Sequence, residues 1–253
     1  NRKSIERDRF NVDRARDYTY LQRTASRELN GRGQTTKTRV STYDVIILGG
    51  RPYRKLIAED DRPLKEDKAN REQARFDREV EKRRREGEKE RAARLADEEK
   101  GRRESREMMR EIPEAFTFTL RGEEPVDGLA AWVIDARPRV GYRGKAKNWQ
   151  LLTKFQGRLW IAKGDYQWVK VEAETIAPVS FGWVLARLSP GALVTFEQRR
   201  VNDEVWLPVR ATTKLDARVA LFKKFRVEVD VEWKEYRKFQ AESRVVGVEE
   251  QAR

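Results

Sequence analysis

The chain contains neither cysteine nor histidine. Without Cys there is no thiol nucleophile, no thiolate metal site, no disulfide and no lipidation point in these residues. Without His, the residue most used for proton transfer near neutral pH is missing, and with it His-based triads and His-ligated zinc. Catalysis by Asp, Glu, Lys or Ser alone stays open, but no G-x-S-x-G occurs. Asn30-Gly31-Arg32-Gly33 lies between strand-like runs and precedes no helix, which is the wrong context for a phosphate loop. No run approaches the ~18 apolar residues that cross a bilayer as a helix. These absences point to a non-enzymatic protein without a cofactor.

What is present is charge. Of 253 residues, 39% are charged, against about 25% in ordinary globular chains, while 38% are apolar and seven are Trp. A core is therefore affordable only if the excess charge is local. The net charge of +13 attracts anionic partners: nucleic acid, an acidic protein or a phospholipid surface. The chain opens on Asn1, so an upstream segment such as a signal peptide is expected to have been removed.

Residues 1–17 read as a charged, partly helical lead-in. Strand composition follows in Tyr18 to Leu29, Thr36 to Leu48 and Tyr53 to Ala58, separated by Asn30-Gly31 and Gly49-Gly50-Arg51-Pro52, which predicts a three-strand meander. After Pro113 the texture returns. Phe116, Phe118 and Leu120 alternate with Thr, Asp127-Gly128 marks a hairpin, and GRLWIAKGDYQWVKVEAET reads as two strands with Val169, Val171 and Ala173 on one face. In FRVEVDVEWK, Phe225, Val227, Val229, Val231 and Trp233 alternate with charged residues, the mark of an antiparallel strand with one buried face. SFGWVLARLSPG is ambiguous between helix and strand.

Between these regions, residues 65–112 are dominated by interleaved Lys, Arg, Asp and Glu. Mixed signs and a single aromatic, Phe76, argue against a nucleic-acid arm, which concentrates one charge and stacks bases on several aromatics. Disorder is a rival, but Asp67–Arg71, Glu79–Arg83, Glu81–Arg85, Glu90–Arg94, Glu98–Arg102 and Glu99–Arg103 all run acid to base at i,i+4, the orientation that supports a helix. Phe76, Val80, Leu95, Met108 and Ile112 form a thin apolar seam. Breaks are expected at Gly87 and Gly101 and an end at Pro113, giving two or three helical pieces that cover or flank the sheet. A solvated strut is the plain alternative.

Glu59-Asp60-Asp61 has the oxygen ligands a hard cation takes, but beside Arg62-Pro63 it reads first as the polar end of a strand. The Trp residues could line an apolar ligand cavity or simply fill the core. The segments YDVIILGGRPYRKLIAEDDRPL, GRLWIAKGDYQWVKVEAE, RVNDEVWLPVR and EYRKFQAESR, in this order, resemble the LolA/LolB-like outer-membrane lipoprotein-sorting superfamily, and most closely a bacterial envelope group within it. The resemblance implies an α+β fold: a curved antiparallel half-barrel in one domain, 1–253, with the charged helical insertion over it. It further implies a periplasmic protein that binds a lipid or a lipoprotein's acyl chain. Trp132, Ile134, Trp160, Phe225, Val227, Val229, Val231 and Trp233 are the lipid-facing candidates, and Phe76, Val80, Leu95, Met108 and Ile112 the lid seam. An envelope partner protein or an anionic membrane surface is the other partner expected, and specific nucleic acid is not. From another class, the alternative is a structural or sensor module that docks a partner through its charged helices, without lipid cargo.

Overall fold

The computed structural model describes residues 11, 14–181, 186–219 and 223–238. After a 3-10 turn at Ala15–Asp17, three long strands form the expected meander: β1 (Tyr18–Leu29), β2 (Thr35–Leu48) and β3 (Arg51–Glu59), with a short β4 (Arg62–Pro63). The insertion then makes two helices, α1 (Glu66–Arg84) and α2 (Glu88–Ala115). Hairpin β5 (Phe116–Val126) and β6 (Leu129–Pro138) turns at Asp127-Gly128, both with positive φ, as a type I′ connection requires. A loop with a 3-10 turn at Trp149–Lys154 leads to β7 (Phe155–Ala162) and β8 (Trp168–Thr175). The rest is β9 (Val179–Phe181), β10 (Ala186–Leu188), β11 (Leu193–Val201), β12 (Val205–Val219) and β13 (Lys223–Lys238). In the ambiguous SFGWVLARLSPG segment the described residues include the paired strands β9 and β10, and residues 182–185, with Trp183, lie outside the described residues. Most of the lead-in lies outside them too.

All these strands join one antiparallel sheet, in the order β4-β3-β2-β1-β13-β12-β11-β8-β7-β6-β5, with β10 beside β12 and β9 beside β10. Its ends, β4 and β5, do not pair, so the sheet stays open. Helix α2 spans that opening. In its first half Glu98 pairs with Arg51 of β3, and its last residue, Ala115, is fully buried and runs straight into β5. Glu98 to Ala115 covers about 26 Å at 1.5 Å per residue. Along the sheet, β3 to β5 is nine strand spacings, about 43 Å. The direct span is shorter than the path through the strands, so the sheet is curved and α2 is a chord across its concave side.

The insertion departs from expectation in three places. Gly87 is a break, but Gly101 is not: the cost of a mid-helix Gly is about 1 kcal/mol, and ion pairs Arg102–Glu98, Arg102–Glu99 and Arg106–Glu99 run across it. Pro113 does not end the helix, because burial of Ala115 and packing of Ile112 hold the last turn, where the Phe116 N–H donates to the Ile112 carbonyl. The apolar seam is not continuous. Phe76 packs against Tyr53 at 5.4 Å and Ile112 against the cluster of Ala115, Phe116 and Ala136, and Val80 and Met108 are half-buried, but Leu95 is 45% exposed. Between those anchors the docking is ionic. Glu98 meets Arg51, Arg94 (3.1 Å) and Arg102 (2.9 Å), and Arg94 also holds Glu86 (2.7 Å) and donates to the Gly49 carbonyl (3.3 Å). Of the foreseen helical pairs, Glu79–Arg83, Glu81–Arg85 and Glu98–Arg102 form, whereas Arg94 takes Glu86 and Glu98 in place of Glu90.

Candidate binding groove

Residues directly opposite in an antiparallel ladder share a face, so the register assigns the concave side. Trp132 and Ile134 of β6 face Ile161 and Leu159 of β7, and these face Trp168 and Val171 of β8. Val171 faces Phe196 of β11, Phe196 faces Ala211 of β12, and Ala211 faces Val231 of β13. Ring contacts confirm the row: Trp168 to Phe196 at 5.2 Å and Phe196 to Trp233 at 6.0 Å. From β6 to β13 the row crosses five strand spacings, about 24 Å. Ile112 of α2 packs on the same cluster as Phe118 and Leu159, which belong to this face, and that fixes it as the side beneath the chord. Apart from Ile161, the row's large side chains are only half-buried, as they would be in an uncovered groove.

The five alternating residues of β13 do share this face. Val227, Val229, Val231 and Trp233 are half-buried, and Phe225, near the strand's start, is 40% exposed. The opposite face is laced with charge: Arg226–Asp216 (2.9 Å), Arg210–Asp230 (2.5 Å) and Lys214–Glu228 (3.1 Å). Arg158 and Arg121, each 2.7 Å from Asp135, hold that carboxyl at a pKa of about 2.

One expected member of the set lies elsewhere. Trp160 sits across from Val133, one residue out of phase with Trp132 and Ile134, and packs on the other face with Ala131, Ala162, Val169 and Trp206. A bulge is the reason Val169 leaves Val171 and Ala173: Trp160 pairs with Lys170 but Ile161 with Trp168, so Val169 is the extra residue. Phe196 was not singled out from the sequence, although alternation in LVTFEQRRV would have found it; Trp168 was named only among the Trp residues that could line a cavity.

At the β13 end the groove deepens into a small apolar cavity of about 220 Å³, lined by Tyr18, Tyr20, Pro52, Leu207, Trp233 and Tyr236, among others. A bulge at Glu235, with positive φ, turns Trp233 and Tyr236 to the same side despite their odd spacing. Burial pushes the Tyr236 phenol far above its ordinary range, with Tyr20 adding to the shift, and its hydroxyl donates to the Pro208 carbonyl at 2.5 Å. It is a fixed wall of the cavity. A larger cleft, about 850 Å³, opens on the convex side over Trp160 and Trp206. Their indole N–H groups are tied to Glu124 (3.0 Å) and Asp165 (2.8 Å), and Glu197, Asp203, Arg199 and Lys170 complete its walls. Such mixed charge suits an acyl chain poorly, so the concave row is the better apolar site.

The acidic run Glu59-Asp60-Asp61 has partners within the protein. Lys68 holds Glu59, the Val40 N–H donates to Asp60, and Arg23 binds Asp61 through two 2.7 Å bonds. Among the described residues no group of three or more Asp or Glu is arranged to hold a metal ion, and no helix is long and apolar enough to cross a membrane.

No protein-family model and no curated protein matches the chain. Solved structures do. An outer membrane lipoprotein-sorting protein domain from Vibrio parahaemolyticus is 11% identical over 98% of this chain and 95% of its own, with a TM-score of 0.32. A DUF1329 family protein from Desulfovibrio piger is 12% identical over 95% of each, at 0.36. A LolA superfamily protein from Nitrosomonas europaea is 11% identical over 93% and 90%, at 0.29. The open curved sheet with its helical insertion is established by the strand order and the chord helix.

Proposed function

We propose that this chain is a single-domain, non-catalytic binding protein of the bacterial periplasm that holds the acyl chain of a lipid or lipoprotein along its concave face. The supporting observation is the apolar row from Trp132 to Trp233, half-exposed beneath a helix that touches the sheet mainly at its two ends. A core would bury these rings, whereas a groove leaves them reachable. Among the described residues no group of three or more Asp or Glu that could hold a metal ion accompanies them. Native mass spectrometry and organic extraction of the purified protein test this. Co-purified lipid is expected, as is quenching of Trp132, Trp168 and Trp233 fluorescence by a brominated fatty acid. If no lipid is recovered and the quencher has no effect, the reading fails.

A second reading takes the two helices as a docking arm for an envelope partner protein. Its support is Leu95, 45% exposed among charged neighbours on the outer helix surface. Replacing residues 65–112 with a short linker separates the two. Altered lipid and apolar-dye binding supports the groove with a cover, while unchanged binding promotes the arm.

A further inference from the structure

Between Ala136 and Phe155 the chain carries Arg137, Arg139, Arg143, Lys145, Lys147 and Lys154 and no carboxylate. This is the loop joining β6 to β7, and it is built rather than slack. From α2, Glu111 reaches under it: its Oε1 accepts the N–H groups of Lys145 (2.5 Å) and Ala146 (2.6 Å), and its Oε2 accepts the Tyr142 hydroxyl (2.9 Å). Tyr142 meets Trp149 edge-on at 6.0 Å, and both Tyr142 and Leu152 pack on the cluster beneath. The loop's aromatic and larger apolar groups are thus turned inward, while Arg137, Arg139, Arg143, Lys145 and Lys147 are exposed. Val140, at the tip, is fully exposed.

The cations are mostly uncompensated. Lys147 pairs with Glu104 of α2 at 3.7 Å, and Arg139 donates to the Phe116 carbonyl at 3.1 Å. Among the described residues no ion pair within 4.0 Å reaches Arg137, Arg143, Lys145 or Lys154, and Lys145 alone of these interacts by charge with Glu111. The carboxylates of α2 nearest the loop are Glu104, already paired, Glu111, directed at the loop's N–H groups, and Glu114.

We infer that this loop is a docking surface for an anionic phospholipid bilayer. Charge complementarity selects an anionic surface. The choice among polyanions follows from the other side chains: no exposed aromatic is offered for base stacking, whereas a free apolar side chain ringed by cations fits the headgroup boundary. The docking is independent of any cargo in the groove.

Vesicle flotation tests it, using protein stripped of bound lipid, with mixed phosphatidylglycerol and phosphatidylcholine against phosphatidylcholine alone. Binding is expected only to the mixed vesicles, and it should weaken steeply as salt is added. Each cation near such a surface contributes about fivefold in partitioning, so Arg137→Gln, Arg143→Gln and Lys145→Gln together should lower it on the order of a hundredfold. Each of the three singly, at an exposed position that leaves folding intact, should lower it about fivefold. Arg32→Gln on the β1–β2 turn with Lys37→Gln near the start of β2, both exposed and several strands from β6 in the sheet, removes like charge and should leave it unchanged. Equal binding to neutral vesicles, full binding by the triple variant, or displacement by duplex DNA at equal phosphate would overturn the assignment.

Discussion

Glu111 joins the chord helix to the basic loop, and its removal should loosen both. Its carboxylate receives two backbone N–H bonds and one hydroxyl bond, and Ala146, one of the donors, is 6% exposed. Hydrogen bonds to a charged group are each worth about 1.5–3 kcal/mol net, and a buried N–H without an acceptor costs a similar amount. Because the site is partly open to water, Glu111→Ala should destabilise by roughly 2–4 kcal/mol in total and Glu111→Gln by about half as much. Burial opposes the Glu111 charge, but the donors Ala146, Tyr142 and Lys145 outweigh it and hold the carboxyl below its ordinary 4.5. Tyr142, buried and bonded to that charge, is pushed up to about 12. A carboxyl depressed in the folded state adds stability that is fully present above its unfolded pKa and is lost as pH falls through the folded one. Both variants should therefore flatten the acid limb of stability below pH 4.5.

Gly144 offers a second handle on the same contact. A Cβ there would lie 1.9 Å from Glu111 Oε2 and 2.6 Å from Trp149 Cβ. The carboxylate is the far end of a flexible chain, but three bonds hold it, so Gly144→Ala should cost about 1–3 kcal/mol. With Glu111→Ala already made, one of the two clashes is gone and the cost of Gly144→Ala should shrink, giving a coupling of about 0.5–3 kcal/mol in a double-mutant cycle. Urea unfolding supplies the energies, and hydrogen exchange at Lys145 and Ala146 localises the effect. Additive costs, or a Glu111→Ala variant within about 0.5 kcal/mol of the parent whose two amides exchange no faster, would refute the reasoning.

Phe196→Asp, in the middle of the concave row, should weaken fatty-acid binding, read by quenching, about four- to twelvefold, the worth of half-burying one large apolar side chain, while circular dichroism keeps its β signature. Unchanged quenching would remove the row as the site. Burial works against the Glu98 charge, but Arg51, Arg94 and Arg102 outweigh it and depress its pKa. Glu98→Arg should therefore speed hydrogen exchange along the first half of α2, and adding Arg51→Glu should restore protection; no rescue would mean that the ion pair does not dock the helix. Asp135, held at about 2 by Arg158 and Arg121, should lose its contribution as pH falls from 3.8 toward 2, and Asp135→Asn should flatten that window in an acid titration followed by fluorescence.

The sheet was largely legible because period-two alternation is a local signal: strict alternation from Phe225 to Trp233 gave both strand and face. Register was not. Trp160 looks as suitable a neighbour for Trp132 as Ile161 does, and only pairing across two hairpins decides which of them shares its face. Bulges defeat alternation in the same way, at Val169 and again at Glu235, where one added residue reverses the parity of everything beyond it. The basic loop was readable as a run of cations without an acid. Its rigidity was not, because that depends on Glu111, far away in sequence.

The charged helix was expected to dock through an apolar seam, and the reason it does not bears on the groove. A helix with large apolar residues along one whole stripe would bury them at about 1.5–3 kcal/mol each, and on the concave side the surface available for that burial is the row itself. Such a helix would fill the groove with the protein's own side chains. Here the identified apolar anchors lie toward the two edges, Phe76 on Tyr53 at one and Ile112 on the cluster of Ala115, Phe116 and Ala136 at the other, and Arg51, Glu98, Arg94 and Glu86 hold the stretch between at the β2–β3 turn. Ionic docking is directional and made at the rim, so it positions the chord without drawing on the apolar face beneath. The composition that first suggests a nucleic-acid arm or a disordered spacer is thus what lets a helix bridge an open sheet while leaving Trp168, Phe196 and Trp233 half-exposed below it.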